Sequence, residues 1–364
     1  MRSWSLRIGK LFGIEVFIHW TFWILIVWIF LMHLRMGDGL RQGAWGALFV
    51  LALFGCVVAH EFGHALMARR FGVVTKDITL YPIGGIASLE GMPERSWQEL
   101  LVAIVGPFVN LVIAAALWIY LTVSGQMPNL AAMNADGDVV QLPFLFSLFL
   151  ANIILAVFNL IPAFPMDGGR AFRSILSFWM DKTTATRIAA GIGQLLAIVF
   201  VFFGFFYNFW LVFIGLFIYL GAGGEAAYVQ TQSALAGLKV KDALMRRFTI
   251  LKPDDSLGVA VDALLNSQES EFVIADAGKP VGLLTKNEII RGLSEAGKEA
   301  LVTAFMKSDF FVVSSETALT DFFRQVLEQG RSVAIVMDGD VLQGLIDREN
   351  VEERLMIQQA LANQ

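Results

Sequence analysis

Six runs of apolar residues, each close to the length of a membrane-crossing helix, crowd into the first 228 positions of this chain. They fall at about 16–34, 43–68, 98–123, 143–162, 187–206 and 209–228. Roughly 20 apolar residues cover the ~30 Å of hydrocarbon in a bilayer. Hydrophobic residues make up 56% of the chain and charged ones 16%, against about 25% charged in a soluble domain. That balance excludes both disorder and a fully soluble fold.

The runs predict a polytopic α-helical membrane domain of six transmembrane helices over 1–228, a linker at 229–238, and a soluble domain at 239–364 where Lys, Asp and Glu are evenly spread. The first run, from Val16 to about Met32, carries no small-residue cleavage site and reads as a retained span. Only Tyr207 and Asn208 separate the last two runs, which implies a tight helical hairpin. Residues 4–15 read as an amphipathic strand pair. The stretch 73–91, broken by Tyr81-Pro82-Ile83-Gly84-Gly85, reads as a hairpin in or near the interface.

With the amino terminus inside, inner segments hold eleven Lys and Arg: Arg2, Arg7, Lys10, Arg69, Arg70, Lys76, Arg95, Arg170, Arg173, Lys182 and Arg187. Outer segments hold Arg35 and Arg41. Positive charge favours the cytoplasmic side, so a multi-pass cell-membrane protein with both termini cytoplasmic is expected. The net charge of -5 and the lack of a basic stripe exclude a nucleic-acid partner. Cys56 is the single cysteine, so no intrachain disulfide forms.

Chemistry concentrates at His60-Glu61-Phe62-Gly63-His64 in the second run. Histidines at i and i+4 share a helix face and reach one zinc ion, and the Glu between them is placed to take a proton from water there. Polar residues satisfied by neighbours at a helix end are the bland alternative, weakened by the cost of ionisable groups in a span. A catalytic zinc takes three protein ligands and leaves one position open. Asp167, in Asn159-Leu160-Ile161-Pro162-Ala163-Phe164-Pro165-Met166-Asp167-Gly168-Gly169-Arg170, lies at a matching depth. It reads equally well as the cap of a short helix over 168–180. Cys56, one turn before His60, reads as packing; His19 as an interfacial histidine; Glu225 as a hinge at the exit of the last span.

His-Glu-x-x-His in the second of six spans, with Asn-x-x-Pro-x-x-Pro-x-Asp-Gly ending the fourth, resembles the site-2 protease family of intramembrane metalloproteases. Gly106-Pro107-Phe108-Val109-Asn110 and the hairpin ending at Gly84-Gly85 also fit. The resemblance implies one zinc per chain held by His60, His64 and Asp167, Glu61 as general base, and Asn159 as a substrate-positioning residue. It implies peptide hydrolysis in or near transmembrane segments of a membrane protein. The substrate classes are a membrane-bound transcription factor, a sigma factor or anti-sigma factor, or a remnant signal peptide. An unwound substrate would add to the 73–91 hairpin as a strand. Since water enters from the cytoplasm, cleavage is expected close to that face.

The soluble part repeats itself. Asp242-Ala243-Leu244-Met245 matches Thr303-Ala304-Phe305-Met306, and Val281-Gly282-Leu283-Leu284-Thr285 matches Gln343-Gly344-Leu345-Ile346-Asp347. Each copy, about 239–296 and 297–357, reads as strand, helix, two strands and helix. This resembles a cytoplasmic α+β tandem CBS domain, which implies regulation, a homodimer through these modules, or an adenine nucleotide in their clefts. The nucleotide pattern Thr-x-x-Asp is altered: Thr285 and Glu288 stand in the first copy, Asp347 and Asn350 in the second. Two competing functions are a CBS-regulated membrane transporter or channel, and a catalytically inactive membrane-segment binder. Ionisable groups converging on one site oppose the first, and the full set of site residues opposes the second.

Overall fold

The computed structural model describes residues 4–35, 39–89, 91, 93, 95–128, 142–267, 269–329 and 333–362. Arg2, counted above, lies outside them. The chain divides into two compact units, Met1–Ala227 and Tyr228–Gln364.

In the first unit, β1 (Ser5–Leu11) and β2 (Ile14–His19) precede α1 (Trp20–Arg35) and α2 (Gly39–Arg70). Then come β3 (Thr75–Tyr81), β4 (Gly84–Leu89), α3 (Ser96–Val123), α4 (Phe144–Asn159), α5 (Asp167–Leu176), α6 (Lys182–Phe206) and α7 (Trp210–Leu235). Among the described residues, α2, α3, α6 and α7 are the four helices long and apolar enough to cross a membrane. Six were expected. The other two, α1 and α4, have 16 residues each, about 24 Å at 1.5 Å per residue. Residues 16–19 were expected to open the first span but pair instead as β2. Helix α4 stops at Asn159, just ahead of Pro162 and Pro165, which cannot continue a helix. Residues 229–235 continue α7.

The two expected hairpins merge into one sheet, ordered β1-β2-β3-β4, through parallel pairing of Glu15–Ile18 with Asp77–Leu80. Alternation decides which face is covered. Ile14, Val16 and Ile78 pack on Phe62 and Ala65 of α2, while Ile18 and Leu80 pack with Phe22, Val50 and Phe54. The sheet therefore lies on the helix that bears the histidines, with β4 at its edge. Helices α6 and α7 close tightly because small residues let backbones approach: a Cβ at Gly215 would stand 2.7 Å from the Ala197 carbonyl.

The second unit shows the expected order twice: β5 (Ile250–Leu251), α8 (Leu257–Asn266), β6 (Glu271–Asp276), β7 (Lys279–Thr285), α9 (Lys286–Ala296), then β8 (Phe311–Val313), α10 (Leu319–Gln329), β9 (Val333–Asp338), β10 (Val341–Asp347), α11 (Arg348–Ala362). Each copy lends its leading segment to the other. Met245 bridges Leu345 of β10, and Lys307 bridges Leu283 of β7. Val273, Leu283, Val333, Ile335 and Leu345 form the buried seam between copies.

Candidate metal centre

Helix α2 presents His60 and His64 one turn apart, both buried. Asp167 reaches them from the first position of α5, where the N-cap is Met166. The cap reading of Asp167 is thus set aside. Two glycines make this possible. A Cβ at Gly168 would overlap the Ile161 carbonyl, and one at Gly169 would stand 2.6 Å from the Ala163 carbonyl carbon. Only without them can the first turn of α5 fold against the loop it springs from.

His60 Nε2 lies 3.2 Å and His64 Nε2 3.0 Å from Asp167 Oδ2, and the two Nε2 atoms are 3.1 Å apart. The opposite ring nitrogens are taken. His60 Nδ1 bonds the Asn110 side-chain oxygen at 2.5 Å, and His64 Nδ1 bonds the Val102 carbonyl at 2.7 Å. Both partners are acceptors, so each ring donates from Nδ1, and an imidazole in its neutral form then turns an Nε2 lone pair inward. Helix α3 makes room with Gly106, where a Cβ would overlap His64 Nε2 and come within 2.8 Å of His60 Nε2.

A cavity of about 550 Å³ opens beside these atoms, lined by Glu61, Gly84 to Ala87 of β4, Asn159 and Arg170 among others. A Cβ at Gly85 would stand 2.8 Å from Glu61 Cγ, so this glycine brings the main chain of the edge strand against Glu61. Asn159, the last residue of α4, spends one amide hydrogen on the Leu155 carbonyl at 3.0 Å.

His60, His64 and Asp167 form the group able to hold a metal among the described residues, and Cys56 stays outside it though buried. His19 bonds Thr21 Oγ1 at 2.7 Å and stacks on Tyr81, and His33 donates to the Ile29 carbonyl. Glu225 is pinned: it accepts from Arg173 at 2.7 Å. Arg173 also donates to Glu99, which pairs with Lys182 at 3.0 Å, and its guanidinium lies over Phe164. Arg173 and Glu99 are 2% and 3% exposed. Removing one partner of such a buried pair costs about 3–5 kcal/mol, so this cluster clamps α5 to α3 and α7. The sequence places Arg173 among the charges of the inner segments and offers no role for Glu99. A carboxylate and a guanidinium in register only after folding leave no local signal.

The candidate nucleotide residues of the second unit are engaged with each other. Thr285 donates to Glu288, and Lys307 pairs with Glu288 at 2.9 Å. Burial alone would raise the Glu288 carboxyl, but Thr285 and Lys307 outweigh it and hold the group below its ordinary range. In the second copy, Asp347 and Asn350 cap each other's backbone N–H at 2.7 and 3.1 Å.

Residues 48–142 and 126–203 match the model of peptidase family M50, and residues 240–295 match the CBS domain. A zinc metalloprotease of Methanocaldococcus jannaschii is 33% identical over 356 residues, covering 98% of this chain and 97% of that protein. The chain belongs to peptidase family M50. Its members are the site-2 proteases, so the chain is a zinc metalloprotease of the intramembrane class. Rip3 of Mycobacterium tuberculosis, named as a candidate zinc metalloprotease, is 28% identical over 380 residues, covering 95% of this chain and 92% of its own. The solved site-2 protease from Methanocaldococcus jannaschii is 38% identical, with 61% of this chain and 95% of that one covered and a TM-score of 0.45.

The donor set fits the zinc that membership implies. Two Nε2 lone pairs and a carboxylate oxygen face one another within 3.2 Å. With both Nδ1 atoms committed outward, two imidazole nitrogens and a carboxylate oxygen are left to face one point, and these are ligand types that zinc takes.

Proposed function

We propose that His60, His64 and Asp167 hold the zinc ion and that Glu61 is the general base of peptide hydrolysis. The observation that carries this reading is the convergence of three acceptors from α2 and α5 on one point, with Glu61 lining the cavity beside it. Zinc bound there polarises a peptide carbonyl and acidifies water. Glu61 takes the proton of the attacking water and returns it to the leaving amine. Asn159, on the cavity wall, keeps its oxygen and one amide hydrogen to orient the peptide.

The substrate in this reading is a transmembrane protein: a transcription, sigma or anti-sigma factor, or a remnant signal peptide. A helix hides its carbonyls in its own hydrogen bonds, so the substrate must unwind before attack. Gly84 to Ala87 at the sheet edge then supply main-chain partners. Six crossings with both termini cytoplasmic, and cleavage near that face, complete the proposal. Setting aside buried Arg173 leaves ten inner charges against two outer ones. Residues 1–228 would be the proteolytic domain and 239–364 a regulatory CBS pair that dimerises or takes an adenine nucleotide at Thr285 and Glu288.

The test is metal content per chain in detergent-purified protein. One zinc is expected in the natural chain, and none in His64→Ala or Asp167→Ala. Glu61→Gln should keep its zinc while cleavage of a membrane substrate falls by about 10²- to 10⁴-fold. Zinc retained in Asp167→Ala would remove the carboxylate from the ligand set.

A further inference from the structure

Asn110 and Asn152 are the two fully buried carboxamides of the helical unit, both 0% exposed among the described residues, and neither belongs to the ligand set. They form a chain with a direction. Asn152 Nδ2 donates to the Leu148 carbonyl at 2.8 Å, within its own helix α4. That bond fixes which end of the Asn152 amide is oxygen, and this oxygen accepts from Asn110 Nδ2 at 2.9 Å. Asn110 is thereby fixed in turn: its nitrogen faces Asn152, and its oxygen faces His60 Nδ1. A main-chain carbonyl in α4 thus dictates, through two amides, which nitrogen of His60 carries the proton.

Helix α3 presents this on a single stripe. Val102, Gly106 and Asn110 stand at i, i+4 and i+8, one above the other on the helix face. The Val102 carbonyl takes His64 Nδ1, Gly106 clears the space before both Nε2 atoms, and Asn110 takes His60 Nδ1. His64 is held by main chain, whose acceptor cannot be turned around. His60 is held by an amide, which can flip and present its NH2 group instead. The link to Asn152 is what prevents the flip.

We propose that Asn110 is the positioning residue of His60 and that Asn152 locks Asn110 in the acceptor orientation, so that α4 presets the His60 lone pair for the metal. This rests on the reading of His60 as a zinc ligand. Acceptors behind metal-bound histidines typically contribute 10- to 100-fold in metal affinity, which sets the scale of the test.

The test is zinc affinity of the full chain in detergent, by competition with a chelator. Asn110→Leu should weaken zinc about 10- to 100-fold. Asn110→Asp keeps an acceptor for His60 but loses the donor to Asn152, and should stay within about threefold of the natural chain. A carboxamide acting only as glue between α3 and α4 predicts the reverse for Asn110→Asp, so a loss there equal to Asn110→Leu overturns the proposal. Asn152→Leu, which unlocks the amide, should weaken zinc. The same change in an Asn110→Asp background should not, because a carboxylate has no wrong orientation. This pair carries the test even if Asn110→Leu does not accumulate as folded protein. Equal losses in both backgrounds overturn the lock. If the natural chain binds zinc and His60→Ala abolishes it while Asn110→Leu changes nothing, the relay alone falls. If the natural chain binds no zinc, the metal reading falls and takes the relay with it.

Discussion

The candidate metal centre and the Thr-x-x-Asp positions of the repeated second unit are both clusters of polar side chains that a binding motif singles out, yet their hydrogen bonds run in opposite senses. Around His60 and His64 the Nδ1 atoms donate outward to Asn110 and Val102, and both Nε2 atoms and Asp167 Oδ2 face inward. Around Glu288 the bonds close on the cluster itself, with Thr285 and Lys307 both spent on the one carboxylate. Asp347 and Asn350 close in the same way on the start of α11. A motif names residues able to bind, and only their partners in the fold show whether that capacity is still available. The first cluster leaves its inward atoms open to a cation; the second spends its polar groups on one another.

The largest effect should come from filling the space that these inward atoms face. Gly106→Ala puts a methyl group against both Nε2 atoms, backed by the main chain of α3. We expect loss of zinc and loss of proteolysis together, measured as metal per chain and as substrate cleavage. A variant that kept full zinc would show that the histidines have room to retreat, and the contrast between the two clusters would weaken.

A smaller effect is expected where the bonds are closed. Lys307→Met frees one oxygen of Glu288, whose partner is a half-exposed lysine. Adenosine monophosphate affinity of the full chain, followed by calorimetry, should rise by no more than about fivefold, the size of an exposed ion pair. A larger rise would mean that Lys307 is a true gate on the cleft. A fall would mean that Lys307 itself holds the phosphate.

The smallest effect concerns pH. Burial, then Asp347 and Glu349, push the carboxyl of Glu271 above its ordinary value. A folded-state pKa above the unfolded one, about 4.3, makes the carboxylate a cost to stability. The cost is absent below the unfolded value, grows as pH rises, and is full above the folded one. Glu271→Gln should therefore raise the melting temperature of the second unit near neutral pH, with the gain fading as the pH approaches 4. A gain that persisted at low pH would assign it to packing.

Much of this protein was legible before folding because its strongest signals are local. His-Glu-x-x-His needs only helical spacing to place two imidazoles on one face, and the 61- to 62-residue repeat shows itself by self-similarity. The strand pairs were legible from amphipathic residues at 4–15 and from the β-branched content of 73–91, although the first runs on to His19. Their union was not, because parallel pairing of β2 with β3 joins strands separated by the whole of α1 and α2. Apolar runs predicted six spans but could not show that residues 16–19 pair as a strand, because β-branched and aromatic residues suit a strand and a membrane helix alike.

Local spacing and self-similarity thus pointed to zinc-protease chemistry, to a helical part followed by a repeated one, and to Glu61 as the base to test. Tertiary structure alone decided that Asp167 turns towards the histidines instead of capping its helix, since the N-cap falls on Met166 and α5 is clamped through Arg173 to Glu99 and Glu225. It also decided which nitrogen of each histidine faces inward, because a tautomer is fixed by acceptors that come from other helices. Spacing along a chain fixes which side chains share a face, whereas their partners, and so their protons, are chosen only when the helices meet.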